Sequence, residues 1–371
     1  MLPRISSRSP FIERRSFIRQ TGLAGVLAAG AAPAAVHAQA ALRWRLASSF
    51  PKSLDTHFGA AETFARKVGE MSGGKFQIST HAAGELMPTG GVLDGVQSGT
   101  VELAHTAPYY FFAKDPTFAL GSTVPFGMNS RQTTAWMVEG NGLKLMREFY
   151  ANYGVSCFPG GNTGAQMGGW FRREVKSVAD LKGLKFRCGG FVGAVLLRLG
   201  VVPSNIPGGE IYQALEQGSI DAAEWVGPYD DLKLGFNKVA KYYYYPAWWE
   251  GGSQLVFLIG LKAYDSLTPE YKAIIEAAAA CAHVEMQAKY DAWNPAALKT
   301  LVSQGTRLMP FSKDLMDRAF KEAMALYNEI GLRNANWRKI YADYASFQRE
   351  QNFWFRLAEM RFDSYMQSVK L

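Results

Sequence analysis

A chain of 371 residues is longer than one hydrophobic core usually serves, so two domains are expected. Apolar residues at 48% and aromatic residues at 13% exclude a largely disordered protein. The formal charge of +8 falls to about +4 without the basic first 38 residues, and no lysine-arginine block stands out in the remainder; this argues against nucleic acid as a partner and suits a small anion better.

The N-terminal stretch reads as an address rather than as fold. Arg14-Arg15 and Ser16-Phe17-Ile18 lie in a basic leader, an Ala/Gly-rich apolar segment runs from about Gly22 to Val36, and a small-residue site ends at Ala38. A membrane anchor needs about 18 or more consecutive apolar residues, and this segment is shorter. Residues 1–38 are therefore expected to be a twin-arginine export signal, cleaved near Ala38, which makes the mature protein periplasmic.

From Leu42, "LRWRLASSF" predicts a strand running into a Ser-Ser-Phe-Pro loop. Leu54, Phe58, Ala61, Phe64, Ala65, Val68 and Met71 then share one helical face, Gly73-Gly74 stops the helix, and "KFQISTH" predicts a second strand. This βαβ unit argues for a parallel, helix-covered sheet and an α/β fold. An internal echo points to two similar lobes. "GTVELAHTAPYY" (99–110) and "GSIDAAEWVGPYD" (218–230) each follow a double glycine and a short helical stretch, and each places a polar residue, His105 or Glu224, at a strand end. Ligands of open α/β sheets lie beyond the carboxyl ends of the strands, so these two residues are expected to face each other across a cleft.

The last third is helical. Thr268-Pro269-Glu270 opens a long Ala-rich run, "SKDLMDRAFKEAMALYNEIG" follows a short strand-like stretch, and Trp337, Ile340, Tyr341, Tyr344 and Phe347 form an apolar stripe. Phe353, Trp354 and Phe355 are aromatic all round, so that helix needs cover from more than one direction, by the lobes or by a partner subunit. The expected division is a signal over 1–38, lobe I from 40–163 with 251–292, and lobe II from 164–250 with 293–371 including the C-terminal helices.

Cysteine and histidine give little. Cys157, Cys188 and Cys281 form no CxxC, allowing one bridge at most, and His57, His81, His105 and His283 share no metal-ligand spacing. Three other stretches carry more. In "SVADLKGLKFRCGG" a strand ends on Arg187, whose planar fork matches a carboxylate, just before a glycine pair that lets a ligand approach the backbone. "GGNTGAQMGGWF" (160–171) offers Asn162, Thr163 and Gln166; Gln166, Glu224 and the Trp225 carbonyl could form the oxygen set that a hard cation prefers. "YYYYPAWWEGG" (242–252) gathers aromatics around Glu250, with alternate residues expected to face a pocket or the core.

"VADLKGLKFR", "PGGEIYQALEQGSIDAAE" and the export signal together resemble the periplasmic solute receptors of tripartite ATP-independent periplasmic (TRAP) transporters, over nearly the whole mature chain. "GAQMGGWF", "EWVGPYD" and "YYYYPAWWEGG" are closer still to the branch that binds 2-oxo and 2-hydroxy monocarboxylates with a cation. The resemblance implies a two-lobed trap without catalytic residues, in which Arg187 clamps the carboxylate and Asn162, Tyr109, Gln166, Trp225 and Trp249 help to line the ligand. It further implies that Gln166, Glu224 and the Trp225 main chain hold one cation, sodium or calcium, that bridges to the ligand and neutralises Glu224. The membrane permease subunits are the implied partner, and exchange of a C-terminal helix is the implied route to a homodimer. Two other readings compete: an exported enzyme acting on a small carboxylic acid, for which neither Cys188 nor His105 has an evident partner, and a ligand receptor for a sensor kinase.

Overall fold

The computed structural model describes residues 41–369, so the expected export signal lies outside the described residues. The strands among them are β1 (Leu42–Ser48), β2 (Phe76–His81), β3 (Leu103–Thr106), β4 (Val155–Asn162), β5 (Gly169–Phe171), β6 (Lys185–Arg187), β7 (Val202–Ser204), β8 (Ala222–Ala223), β9 (Tyr242–Tyr245), β10 (Gln254–Gly260) and β11 (Arg307–Pro310). They form two sheets, ordered β2-β1-β3-β10-β4 in the first layer and β11-β9-β5-β8-β6-β7 in the second, as the two-lobed α/β architecture expected requires.

The first βαβ unit forms as its periodicity requires. β1 and β2 pair in parallel with Leu42 opposite Phe76, and the helix His57–Met71 between them buries Phe58, Ala61, Phe64 and Val68. The two echoed segments supply β3 and β8, each an inner strand of its own sheet. The tyrosine run departs from simple alternation of core and pocket. Tyr243 stacks on Trp170 at 4.0 Å and Tyr244 packs on Phe171 and Phe311, because both faces of the second sheet are covered.

Two short crossings join the sheets, residues 163–168 between β4 and β5 and residues 246–253 between β9 and β10. They are hydrogen-bonded to each other: Thr163 N donates to Ser253 O at 3.2 Å, Gln166 N to Glu250 O at 3.2 Å, and Ala247 N to Gln166 O at 3.1 Å. A third crossing is the 35-residue helix Pro269–Ser303, capped by Thr268 and containing Pro295. Its Ile275, Ala278, Ala282 and Met286 are buried where it packs on the helix His57–Met71 and on β4.

The C-terminal helices, expected with lobe II, divide between the layers. Lys313–Arg333 is capped by Ser312 and packs on the helix Phe191–Arg198 of the second layer. Ala335–Leu357 instead lies on Ser130–Val138 and Gly142–Ala151 of the first, where Trp136 Nε1 donates to Asp343 at 2.7 Å and Met128 N donates to the Tyr344 hydroxyl at 2.7 Å. The predicted stripe is buried at Trp337, Ile340 and Tyr344, but Phe353 is 70% and Trp354 56% exposed. Phe362 and Tyr365 of the last helix, Glu359–Ser368, are also exposed. Among the described residues no helix is long and apolar enough to cross a membrane.

Candidate functional site

β6 and β8 are adjacent parallel strands with Arg187 opposite Ala223, so Arg187 and Glu224 leave neighbouring carboxyl ends at one level. Arg187 Nη1 donates to Glu224 Oε1 at 2.7 Å and to the Glu224 peptide oxygen at 2.8 Å, while Nε donates to Ile206 O at 3.0 Å. Gly189 N donates to Glu224 Oε1 at 2.8 Å, and the Trp225 ring lies 4.9 Å from the guanidinium carbon. Both charged side chains are only 3% exposed. Two guanidinium nitrogens are thereby fixed, and Nη2 makes none of these bonds.

This pairing changes the expected role of Glu224. Its Oε1 is held by Arg187 and the Gly189 N–H, whereas the sequence reading had a cation neutralising it. Register is the reason: two parallel strands ending together bring the guanidinium to the carboxylate first. Burial raises the Glu224 carboxyl while Arg187 and Gly189 N–H oppose the rise. Burial is the largest influence on Arg187 and works against its charge, but Glu224 together with Tyr110, Tyr109 and Cys188 outweighs it, and its pKa stands above the ordinary value.

A second group meets where the two crossings run side by side. Gln166 Nε2 lies 3.0 Å from Thr163 Oγ1, and the other end of the amide lies 2.9 Å from the Trp225 carbonyl oxygen and 2.5 Å from Glu250 Oε2. With nitrogen at that end the amide donates to both neighbours; with oxygen there, amide, peptide and carboxylate oxygens converge. The second arrangement is the mixed set that sodium or calcium takes. Among the described residues no three His, Cys, Asp or Glu side chains cluster as ligands, so a cation site here depends on amide and peptide oxygens. Burial, and then the neighbouring Glu224 carboxylate, hold the Glu250 carboxyl well above the usual range against the pull of Arg187 and the Tyr109 hydroxyl.

The opposite wall comes from the turn Pro108–Phe111 that follows β3. Tyr109 lies over Gly189 and Gly190. A Cβ on Gly190 would sit 2.5 Å from Tyr109 Cδ2, and its backbone, at φ 59°, is one that only glycine adopts comfortably. Tyr109, Thr123, Gly189, Phe191, Trp249 and Glu250 enclose a narrow cavity. Burial raises Tyr109 well above the ordinary phenol range and Tyr110 to about 12, which keeps both as neutral donors. Three buried donors at the site have no protein partner: Asn162 Nδ2 and the indole Nε1 of Trp225 and of Trp249.

The structure thus gathers Arg187, Glu224, Trp225, Gln166, Tyr109 and Trp249 around one place, with Asn162 beside Thr163 on the first crossing. It adds Glu250, which the sequence reading left among the aromatics. A carboxylate after Trp-Trp and before Gly-Gly repeats the signature of Glu224 beside Trp225 and a Gly-Pro turn, and that was the signal available. His105 does not face Glu224. β10 inserts beside β3 and stacks Phe257 on its ring at 4.7 Å, its Nε2 meets Gly160 O at 2.9 Å, and burial lowers its pKa to about 3. Burial also pushes the Cys188 thiol up, so neither group is tuned as a nucleophile or its base. All three cysteines are free.

Residues 47–334 match the family model described as bacterial extracellular solute-binding protein, family 7. The monocarboxylate 2-oxoacid-binding periplasmic protein all3028 of Nostoc sp. is 48% identical over 327 residues, covering 88% of this chain and 90% of that protein. A TRAP transporter solute-binding protein of Bordetella bronchiseptica, solved with copurified calcium and picolinate, superposes with a TM-score of 0.87 at 44% identity, over 89% of this chain and 98% of the other. A TRAP periplasmic solute-binding protein of Pseudoalteromonas atlantica, solved with sodium and pyruvate, gives 0.84 at 38% identity, over 89% and 100%.

Proposed function

The chain belongs to family 7 of the bacterial extracellular solute-binding proteins, and on that premise we propose that it captures a small 2-oxo or 2-hydroxy carboxylate together with one cation and presents it to the membrane subunits of a TRAP transporter. The observation that carries this reading is the convergence of three chemically different oxygens, from Gln166, Trp225 and Glu250, beside a buried arginine whose Nη2 takes no part in the Ile206 and Glu224 bonds. A cation bound there supplies positive charge that polarises and orients the acid's oxygens. The Gln166 amide turns its oxygen toward that ion and its nitrogen toward Trp225 and Glu250 without it.

In this reading Arg187 clamps the carboxylate through Nη2, with Glu224 fixing the direction of the guanidinium in place of ligating the ion. Asn162, Tyr109, Trp225 and Trp249 offer buried donors and apolar walls to the rest of the ligand. Excluding water strengthens each contact, and nothing is turned over. We assign lobe I to residues 40–163 with 251–292 and lobe II to 164–250 with 293–334, the helix Ala335–Leu357 beyond packing on Ser130–Val138 and Gly142–Ala151 of lobe I. Export through the Arg14-Arg15 signal with cleavage near Ala38 belongs to the same proposal. So does a homodimer, supported by the exposed Phe353, Trp354, Phe362 and Tyr365.

A melting screen tests the reading. Pyruvate, lactate and succinate are each added with sodium, calcium or chelator. The 2-oxo monocarboxylate with cation is expected to stabilise most, by about 2.7 kcal/mol at 100 times Kd. Absence of any shift with every acid and ion overturns it, and appearance of a product favours the enzyme.

A further inference from the structure

Behind the Trp225 carbonyl lies a polar cluster that ligand recognition leaves unused. Thr56 stands at the N-cap of the first-layer helix His57–Met71, yet its side chain makes no capping bond. Its hydroxyl donates instead to Asp230 Oδ1 at 2.9 Å, in the second-layer helix Pro228–Leu234. Tyr290, on the long crossing helix, donates to Asp230 Oδ2 at 2.6 Å and lies 2.7 Å from His57 Nδ1. Asp231, the next residue, accepts from Trp170 Nε1 at 2.9 Å, the Tyr243 hydroxyl at 2.6 Å and Val226 N at 3.4 Å. At the surface Asp55 meets Tyr229 and Lys233 in the same register. Thr56, Tyr290, Asp230 and Asp231 are all essentially inaccessible to solvent.

A buried carboxylate is costly unless its partners are in place. The side chains that meet the Asp230 carboxylate, Thr56, Tyr290 and His57 Nδ1 at 3.3 Å, come from the first layer or the crossing helix, so its environment is complete only when the layers are together. Asp230 lies five residues after Trp225, in the first turn of its helix, and Asp231 holds Val226, the residue that follows Trp225. We propose that Asp230 is a positioning residue that couples the approach of the two layers to the placement of the Trp225 carbonyl, with Thr56 and Tyr290 as its first-layer and crossing-helix arms. Opening separates Thr56 from Asp230 and rehydrates the carboxylate; closing restores the bond and sets the peptide oxygen toward Gln166 and Glu250. The coupling lies outside the atoms that touch acid or ion, and it rests on the carboxylate-and-cation reading given above.

Thr56→Val removes the hydroxyl at constant shape, Thr56→Ser keeps it, and Tyr290→Phe removes the second arm. Each is titrated with pyruvate in saturating calcium by calorimetry and melted without ligand in chelator. Thr56→Val and Tyr290→Phe are expected to weaken binding on the order of tenfold, within the range of site-to-site coupling, and to leave the ligand-free melting temperature near that of the wild type. Thr56→Ser is expected to bind as the wild type does. Unchanged affinity in Thr56→Val overturns the coupling, and so does a loss of affinity matched by an equal loss of ligand-free stability, the mark of a merely structural bond. Wild-type protein that fails to bind pyruvate with calcium instead condemns the functional reading on which the coupling rests.

Discussion

Arg187→Met is expected to do two separable things: remove carboxylate binding by two to three decades or more, and lower the stability of the ligand-free protein by about 3–5 kcal/mol. The second effect follows from Glu224. Both partners are 3% exposed and 2.7 Å apart, so deleting the guanidinium strands a carboxylate in a dry interior. Adding Glu224→Gln removes that charge, and the double variant Arg187→Met/Glu224→Gln should regain most of the lost stability. It should not regain binding, because nothing replaces Nη2. Denaturant unfolding without ligand, beside calorimetric titration with pyruvate and calcium, reads the two effects independently. Recovery of binding in the double variant would take Arg187 out of the ligand's shell.

Glu250→Gln should weaken calcium binding by about a hundredfold or more, roughly 2.7 kcal/mol, and abolish a pH dependence. In the folded protein burial and Glu224 hold the Glu250 carboxyl well above its ordinary value of 4.5. Below that value the group is neutral folded and unfolded, and contributes nothing. As pH rises past it, the unfolded chain loses its proton first, so the ion-free protein loses stability until the raised folded pKa is reached. Calcium displaces the proton, hence apparent calcium affinity should climb over the same interval, with proton release measurable in buffers of different ionisation enthalpy. Glu250→Gln abolishes both trends and is expected to be the more stable protein in chelator at neutral pH. Equal calcium affinity at about pH 5 and about pH 8 would exclude Glu250 as the ligand that must ionise.

Much of this site was legible because its chemistry sits in short, local words. Arg187 is announced by a strand running into Cys188-Gly189-Gly190, and the first βαβ unit by period and stop signals. Glu250 was not legible in that way. Its partner Gln166 is brought to it by one crossing lying along another, a tertiary event that no window of sequence contains. Nor was the neutraliser of Glu224, since strand register decides whether the guanidinium or an ion reaches that carboxylate. The echo placed β3 and β8 in equivalent positions, but could not foresee that β10 would wedge Phe257 against His105.

The strand order of the first sheet also bears on how the chain comes to be folded. β10 lies between β3 and β4, with Val256 opposite Thr106 on one side and Pro159 on the other. During synthesis, therefore, two strand edges must wait, unpaired, until residues near 260 have left the ribosome. Pairings of such separation carry a large loop-closure entropy and form slowly. Over that interval the unfinished sheet offers open edges to any other extended chain.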